Sequence, residues 1–182
     1  MKRIVSVVLL AAGLGACGTP SLGPPPPAPY PSYRPYGPPP AANVFRPQDF
    51  AWSLIPGSAS IQGAVTYREG PVRYSCEGRD VILTPETPWS RRRMNLLYGS
   101  ATDATLPVEE VRKRTQTAPS GDLARYVKRT TCDGASHFGF DNLPSGAWFV
   151  ITVVKPRGGN GDTLAIMRRV ETRTGPRFVA LN

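Results

Sequence analysis

Trp148-Phe149-Val150-Ile151-Thr152-Val153-Val154 is the most β-prone stretch of the chain, each residue aromatic or β-branched. Side chains of these types favour the pleated, packed surface of a sheet, so the stretch reads as a central strand. Pro144-Ser145-Gly146 turns the chain into it. Before that turn, Asp133-Gly134 is a second turn signal, and Phe138 and Phe140 share one face two residues apart. Leu123 to Cys132 reads as an extended, mostly exposed strand. On the far side, Gly158-Gly159-Asn160-Gly161-Asp162 is a hairpin loop. Strands over Leu164–Val170 and Arg177–Leu181 then close the sheet. Nearer the N-terminus, Ile61, Gly63, Val65 and Tyr67 alternate with Gln62, Ala64, Thr66 and Arg68, a period of two. Val81-Ile82-Leu83 is a short apolar run ended by Thr84-Pro85. About seven strands punctuated by Gly and Pro turns predict an all-β chain, an antiparallel β-sandwich.

Two stretches break the β pattern. Thr87-Pro88-Trp89-Ser90 opens a short inserted helix running to Tyr98, with Thr87 as cap and Pro88 at the first helical position. From Gly99 to Gly121 the chain is looser. Glu109-Glu110 precede Lys113-Arg114 by four residues, which supports about two helical turns inside a long loop.

The N-terminus carries a different message. Lys2 and Arg3 precede an apolar run from Ile4 to Leu14, shorter than the ~20 residues a membrane span needs. A charged start, a short apolar run and small residues before a cut site describe a signal peptide over residues 1–16. Leu14-Gly15-Ala16-Cys17 resembles the bacterial lipobox, whose cysteine is acylated and becomes the first residue of the mature chain. The expectation is a palmitate-type lipid on Cys17 and a membrane contact through it. Gly18, where an aspartate would retain the protein at the inner membrane, favours the outer membrane facing the periplasm. Residues 17–48 then form a Pro-rich stalk with polyproline II character. In it Tyr30, Tyr33 and Tyr36 recur every three residues, the polyproline II repeat, and so would line one face as a possible binding surface. Residues 49–182 are left for one ordinary domain.

With Cys17 committed to lipid, Cys76 and Cys132 remain as a pair, and in an oxidising compartment a structural disulfide is expected. The formal charge is +9, about +7 once Lys2 and Arg3 leave with the signal peptide. Outside the cytoplasm that charge points to envelope proteins or anionic glycan as partners, not to nucleic acid.

The folded segment resembles the carboxypeptidase regulatory-like domain. The resemblance rests on Gly63 and Val65, on Gly78 with Val81-Ile82-Leu83-Thr84-Pro85, and on Cys132-Asp133-Gly134 leading through Phe138-Gly139-Phe140-Asp141-Asn142-Leu143-Pro144-Ser145-Gly146. It implies a prealbumin-like β-sandwich that accompanies catalytic domains without being one, and it transfers no catalytic residue.

Nothing in the sequence favours an enzyme. His137 is the single histidine and sits beside a turn. Asp133, Asp141 and Asp162 could meet around Ca²⁺, but no EF-hand spacing joins them. The glycine-rich loop at 158–162 lacks the Gly-Lys-Ser/Thr of a phosphate loop, and Ser136 and Ser145 lie in no nucleophile elbow. No catalytic, cofactor or metal residue is assigned. The leading expectation is a lipid-anchored binding or scaffolding module. The alternative is a carbohydrate or peptidoglycan binder, with Trp89, Trp148, Tyr98 and Tyr126 as stacking rings. A carboxylate-based hydrolase ranks third and needs a deep cleft with two close acids.

Overall fold

A computed structural model describes residues 44–118, 120–158 and 161–182. Cys17, Tyr30, Tyr33 and Tyr36 lie outside the described residues. In chain order the elements are α1 (Pro47–Phe50), a 3₁₀ turn (Ala51–Leu54), β1 (Ala59–Val65), β2 (Arg68–Glu69), β3 (Val72–Ser75), β4 (Asp80–Pro85), α2 (Pro88–Tyr98), β5 (Asp103–Pro107), α3 (Val108–Thr115), β6 (Lys128–Thr131), β7 (His137–Leu143), β8 (Gly146–Pro156), β9 (Leu164–Thr172) and β10 (Gly175–Leu181).

The aromatic and β-branched run lies in β8, and β8 is central. One edge pairs with β9, whose far edge takes β5; the other pairs with β3 and β4, and β4 carries β6. With β2 beside β3, this makes the larger sheet of seven strands; β10, β1 and β7 form the smaller sheet of three. Strand parity then sorts the side chains. Trp148, Val150 and Val154 face the small sheet and join Ile61, Phe138, Phe140, Leu143 and Leu181 in one buried cluster. Phe149, between them in sequence, points the other way and packs with Met94, Leu97 and Tyr98 of α2 and with Met167. The central strand is apolar throughout because it is covered on both faces.

Trp148 is fully buried. Its ring meets Trp52 edge-on at 4.9 Å, and its Nε1 donates to Thr172 Oγ1 at 3.2 Å. A Cβ at Gly146 would come within 2.3 Å of the Trp52 ring, so that position admits only glycine. The segment before β1 is pinned a second time by aromatic packing. Phe45 stacks on Phe50 at 5.1 Å and meets Trp89 edge-on at the same distance, with Phe50 also against Tyr126.

The helix after Thr87 forms as the sequence predicts. Thr87 Oγ1 accepts from the Ser90 amide at 3.1 Å while Ser90 Oγ accepts from the Thr87 amide at 2.8 Å, a reciprocal cap. The disulfide between Cys76 and Cys132 is formed. Among the described residues no helix is long and apolar enough to cross a membrane.

Three expectations change. The 99–121 segment is not one long loop: it holds β5, an edge strand on β9, and α3, which is tied to α2 by the Arg114 contact to the Leu97 carbonyl. The strand expected over Leu123–Cys132 is confined to β6, because Leu123 and Tyr126 turn inward to pack with Phe50 and Trp89. The sandwich is also not wholly antiparallel. β10 leaves the larger sheet and pairs in parallel with β1, Ala59 opposite Gly175 and Val65 opposite Leu181.

Candidate functional site

The four rings nominated for sugar stacking are all in the interior. Trp148, Trp89, Tyr126 and Tyr98 are no more than 7% exposed. Burial, with Arg93 offsetting it only in part, pushes the Tyr98 phenol up to about 12. None of these rings can meet a ligand.

Among the described residues, the most exposed aromatic lies elsewhere. Ala59, Ile61 and Val65 of β1 point into the core, so Gln62 and Ala64 point outward by alternation. The register across the small sheet puts Phe178 and Gly139 on either side of Gln62, and Ala180 and His137 on either side of Ala64. Phe178 is 75% exposed. The Gln62 amide lies across Gly139, where a Cβ would come within 2.9 Å of Oε1 and 3.2 Å of Nε2. Gln62, Ala64, His137, Phe178 and Ala180 line an open hollow of about 610 Å³. Small residues make the floor flat, a ring stands at one side, and an amide and an imidazole supply donors and acceptors. An aromatic face carries partial negative charge and attracts polarised C–H groups. The sequence shows Phe178 only as one more strand residue; its exposure follows from which partner strand sets the parity.

His137 lies at the rim of this hollow. Its Nδ1 is 3.6 Å from Asp133 Oδ2, with both side chains more than half exposed. The Asp133 carboxyl is held below the usual carboxylate range chiefly by the His137 backbone N–H at 2.7 Å, with the Ala135 N–H at 2.9 Å assisting against partial desolvation. That carboxylate stitches its own turn. Asp141 stands exposed on β7, and Asp162 lines a separate hollow with Tyr67 and Glu69, so the three aspartates are not brought together. Among the described residues no group of three or more His, Cys, Asp or Glu side chains could hold a metal ion.

A groove of about 850 Å³ runs between the start of α3 and the outer faces of β4 and β8. Its floor is Ile82, Ile151 and Val153, and its rim includes Asp80, Glu109 and Asp162. Glu109 is paired to Arg112 at 2.6 Å, and Asp80 faces Arg129 at 3.8 Å. Asp80 and Glu109 are each set against a guanidinium, and Asp162 lines the same groove.

In comparisons with known proteins, no family model and no curated protein matches this chain. Among solved structures it is similar to a putative carbohydrate binding protein from Pseudomonas aeruginosa, with a TM-score of 0.54 and 19% sequence identity over 75% of this chain and 96% of the other. At that identity the likeness is one of fold.

Proposed function

We propose that this chain is a non-catalytic glycan-binding module held at the bacterial envelope by a lipid on Cys17, with the outer face of the β10-β1-β7 sheet as its binding surface. The observation that carries this is Phe178, three-quarters exposed beside a floor that includes Gly63, Ala64 and Ala180, with Gln62 alongside. A sugar ring laid on that floor would stack its C–H face on Phe178 and direct its hydroxyls to Gln62 and His137. The fold it shares with a protein described as carbohydrate binding supports the choice of ligand class. The resemblance to carboxypeptidase regulatory-like modules supports an accessory role. The same chemistry favours a glycan over a scaffolded protein, since the hollow is open and sets polar groups, Gln62 and His137, beside its exposed ring.

Titrating the full mature chain with soluble muropeptides and with lipopolysaccharide core oligosaccharide, followed by calorimetry, tests the surface. Stacking on one ring is worth about 1–3 kcal/mol in the analogous case of nucleobases, so Phe178→Ala should weaken binding about fivefold or more. No heat with either glycan, or equal affinities for the two proteins, would remove the proposal. The anchor has its own check: protein extracted from membranes should carry an acyl mass increment that Cys17→Ala lacks. Masses differing only by the substitution would contradict it.

A further inference from the structure

A second site, independent of the Phe178 surface, lies at one end of the sandwich. We infer that Arg68, Arg73 and Arg157, set over the hydroxyls of Ser75 and Ser136, form an anion pocket for a phosphate ester of an envelope glycolipid or phospholipid.

Arg68 and Arg73 stand directly opposite each other on the β2–β3 hairpin. Like charges in that position repel across the ladder and are destabilising unless something lies between them. Arg157 is brought beside them by its backbone N–H, which donates to the Arg73 carbonyl at 2.7 Å. The three arginines line a hollow of about 270 Å³, and no Asp or Glu among the described residues lines it with them. Nor does any of the three form an ion pair with a carboxylate among the described residues. The nearest acid on the hairpin, Glu69, accepts the Tyr74 hydroxyl at 3.0 Å and lines the adjacent hollow. The cluster therefore lacks a counter-charge, and an anion supplies one.

The pocket is also built rather than merely charged. Arg157 Nη2 is shared among Ser75 Oγ at 3.3 Å, Ser136 Oγ at 3.2 Å and the Gly134 carbonyl at 3.2 Å. A guanidinium has five N–H donors in a rigid fork, so fixing one nitrogen aims the others. Ser75 and Ser136 hydroxyls are 2.8 Å apart. Ser136 is 2% exposed and adopts φ 65, a conformation rare for a residue with a side chain. Its carbonyl accepts from the Val65 amide at 3.0 Å and its own amide donates to the Asp133 carbonyl at 2.9 Å, so strained backbone is held in place from both sides. Strain of this kind collects at ligand-binding positions. Cys76 adjoins Ser75, and Cys132 opens the turn that ends at Ser136, so the disulfide fixes both hydroxyl-bearing segments. A planar fork flanked by two further guanidinium groups matches the oxygens of a phosphate.

The test is calorimetry on the full mature chain with three probes: inorganic phosphate, glucose 6-phosphate and glucose. Both phosphates should bind, more weakly as salt rises, and glucose should not bind at this pocket. The Arg68→Gln/Arg73→Gln double variant, exposed and off the core, should weaken phosphate binding at least tenfold. Arg157→Lys, which keeps the charge but loses the fork, should weaken it several-fold. Phe178→Ala should leave phosphate binding unchanged, which separates this pocket from the glycan surface. Equal affinities for wild type and the double variant, or glucose 6-phosphate binding no tighter than glucose, would overturn the assignment. Vesicles of phosphatidylglycerol against phosphatidylcholine then identify the source. Arginine-dependent capture by the former points to a phospholipid headgroup, and its absence alongside glucose 6-phosphate binding points to a phosphorylated sugar.

Discussion

Trp148→Ala is expected to lower the stability of the domain by about 4–5 kcal/mol, the largest effect of any single substitution considered. The side chain is fully buried between the two sheets. Truncating a buried tryptophan to alanine typically costs about 3–5 kcal/mol through lost transfer energy and the cavity left behind. Two local features place this case at the upper end. Trp52 loses the edge-on partner that docks the segment before β1, and Thr172 Oγ1 loses the indole N–H while still donating to the Pro144 and Gly146 carbonyls. Against a total stability of about 5–15 kcal/mol for a typical domain, the variant should be marginal. At roughly 2–4 °C per kcal/mol, the melting temperature should fall by about 10–20 °C. Urea unfolding should show a lower midpoint with an unchanged slope. Trp148→Phe should lose less than half as much. A fall of only a few degrees for Trp148→Ala would mean that the sheets close over the cavity and that the inter-sheet core is softer than its burial suggests.

Removing the disulfide should be nearly as costly, for a different reason. Cys76 and Cys132 are separated by 56 residues, and the chain-entropy model assigns a loop of that size about 4 kcal/mol, acting on the unfolded chain. Cys76→Ser/Cys132→Ser should therefore melt roughly 10 °C or more below the oxidised protein, and reduction of wild type should reproduce the shift. The folded state should change little away from the bridge, because flanking backbone bonds remain. The Gly78 amide donates to the Cys132 carbonyl at 3.1 Å and the Cys132 amide to the Arg79 carbonyl at 3.0 Å. Coincident melting of reduced and oxidised protein would show that the bridge closes a loop already closed in the unfolded chain. The two perturbations separate cleanly: Trp148→Ala acts on native packing, the cysteine pair on the freedom of the denatured ensemble.

Local chemistry made part of this molecule readable from sequence. The β8 run needs no partner to be recognised, and the Thr87-Pro88 start of α2 is written in residues that cap one another. β5 was hidden because Asp103-Ala104-Thr105-Leu106-Pro107 is only half-buried on an edge, so it lacks both alternation and a long apolar run. Leu123 and Tyr126 have the composition of a strand, but their packing partners, Phe50 and Trp89, lie far away in sequence. The surface proposed to bind glycan is hard to read from sequence for a related reason. Large aromatics attract attention as stacking rings, yet here the tryptophans supply the core, and the exposed ring is Phe178, whose outward direction is fixed by pairing with β1. The arginine pocket likewise joins a hairpin, a turn and the end of β8, which only the tertiary fold brings together.

The parallel pairing of β1 with β10 bears on the order in which the domain can close. β1 is the middle strand of its sheet and is among the first strands made; one of its two neighbours, β10, is the last. Until residues 175–181 emerge, one edge of β1 has nothing to pair with, and closing that gap means bringing together strands separated by nearly the whole domain. Contacts of such long range are slow to form. The small sheet therefore closes last, once residues 175–181 are available to pair with β1.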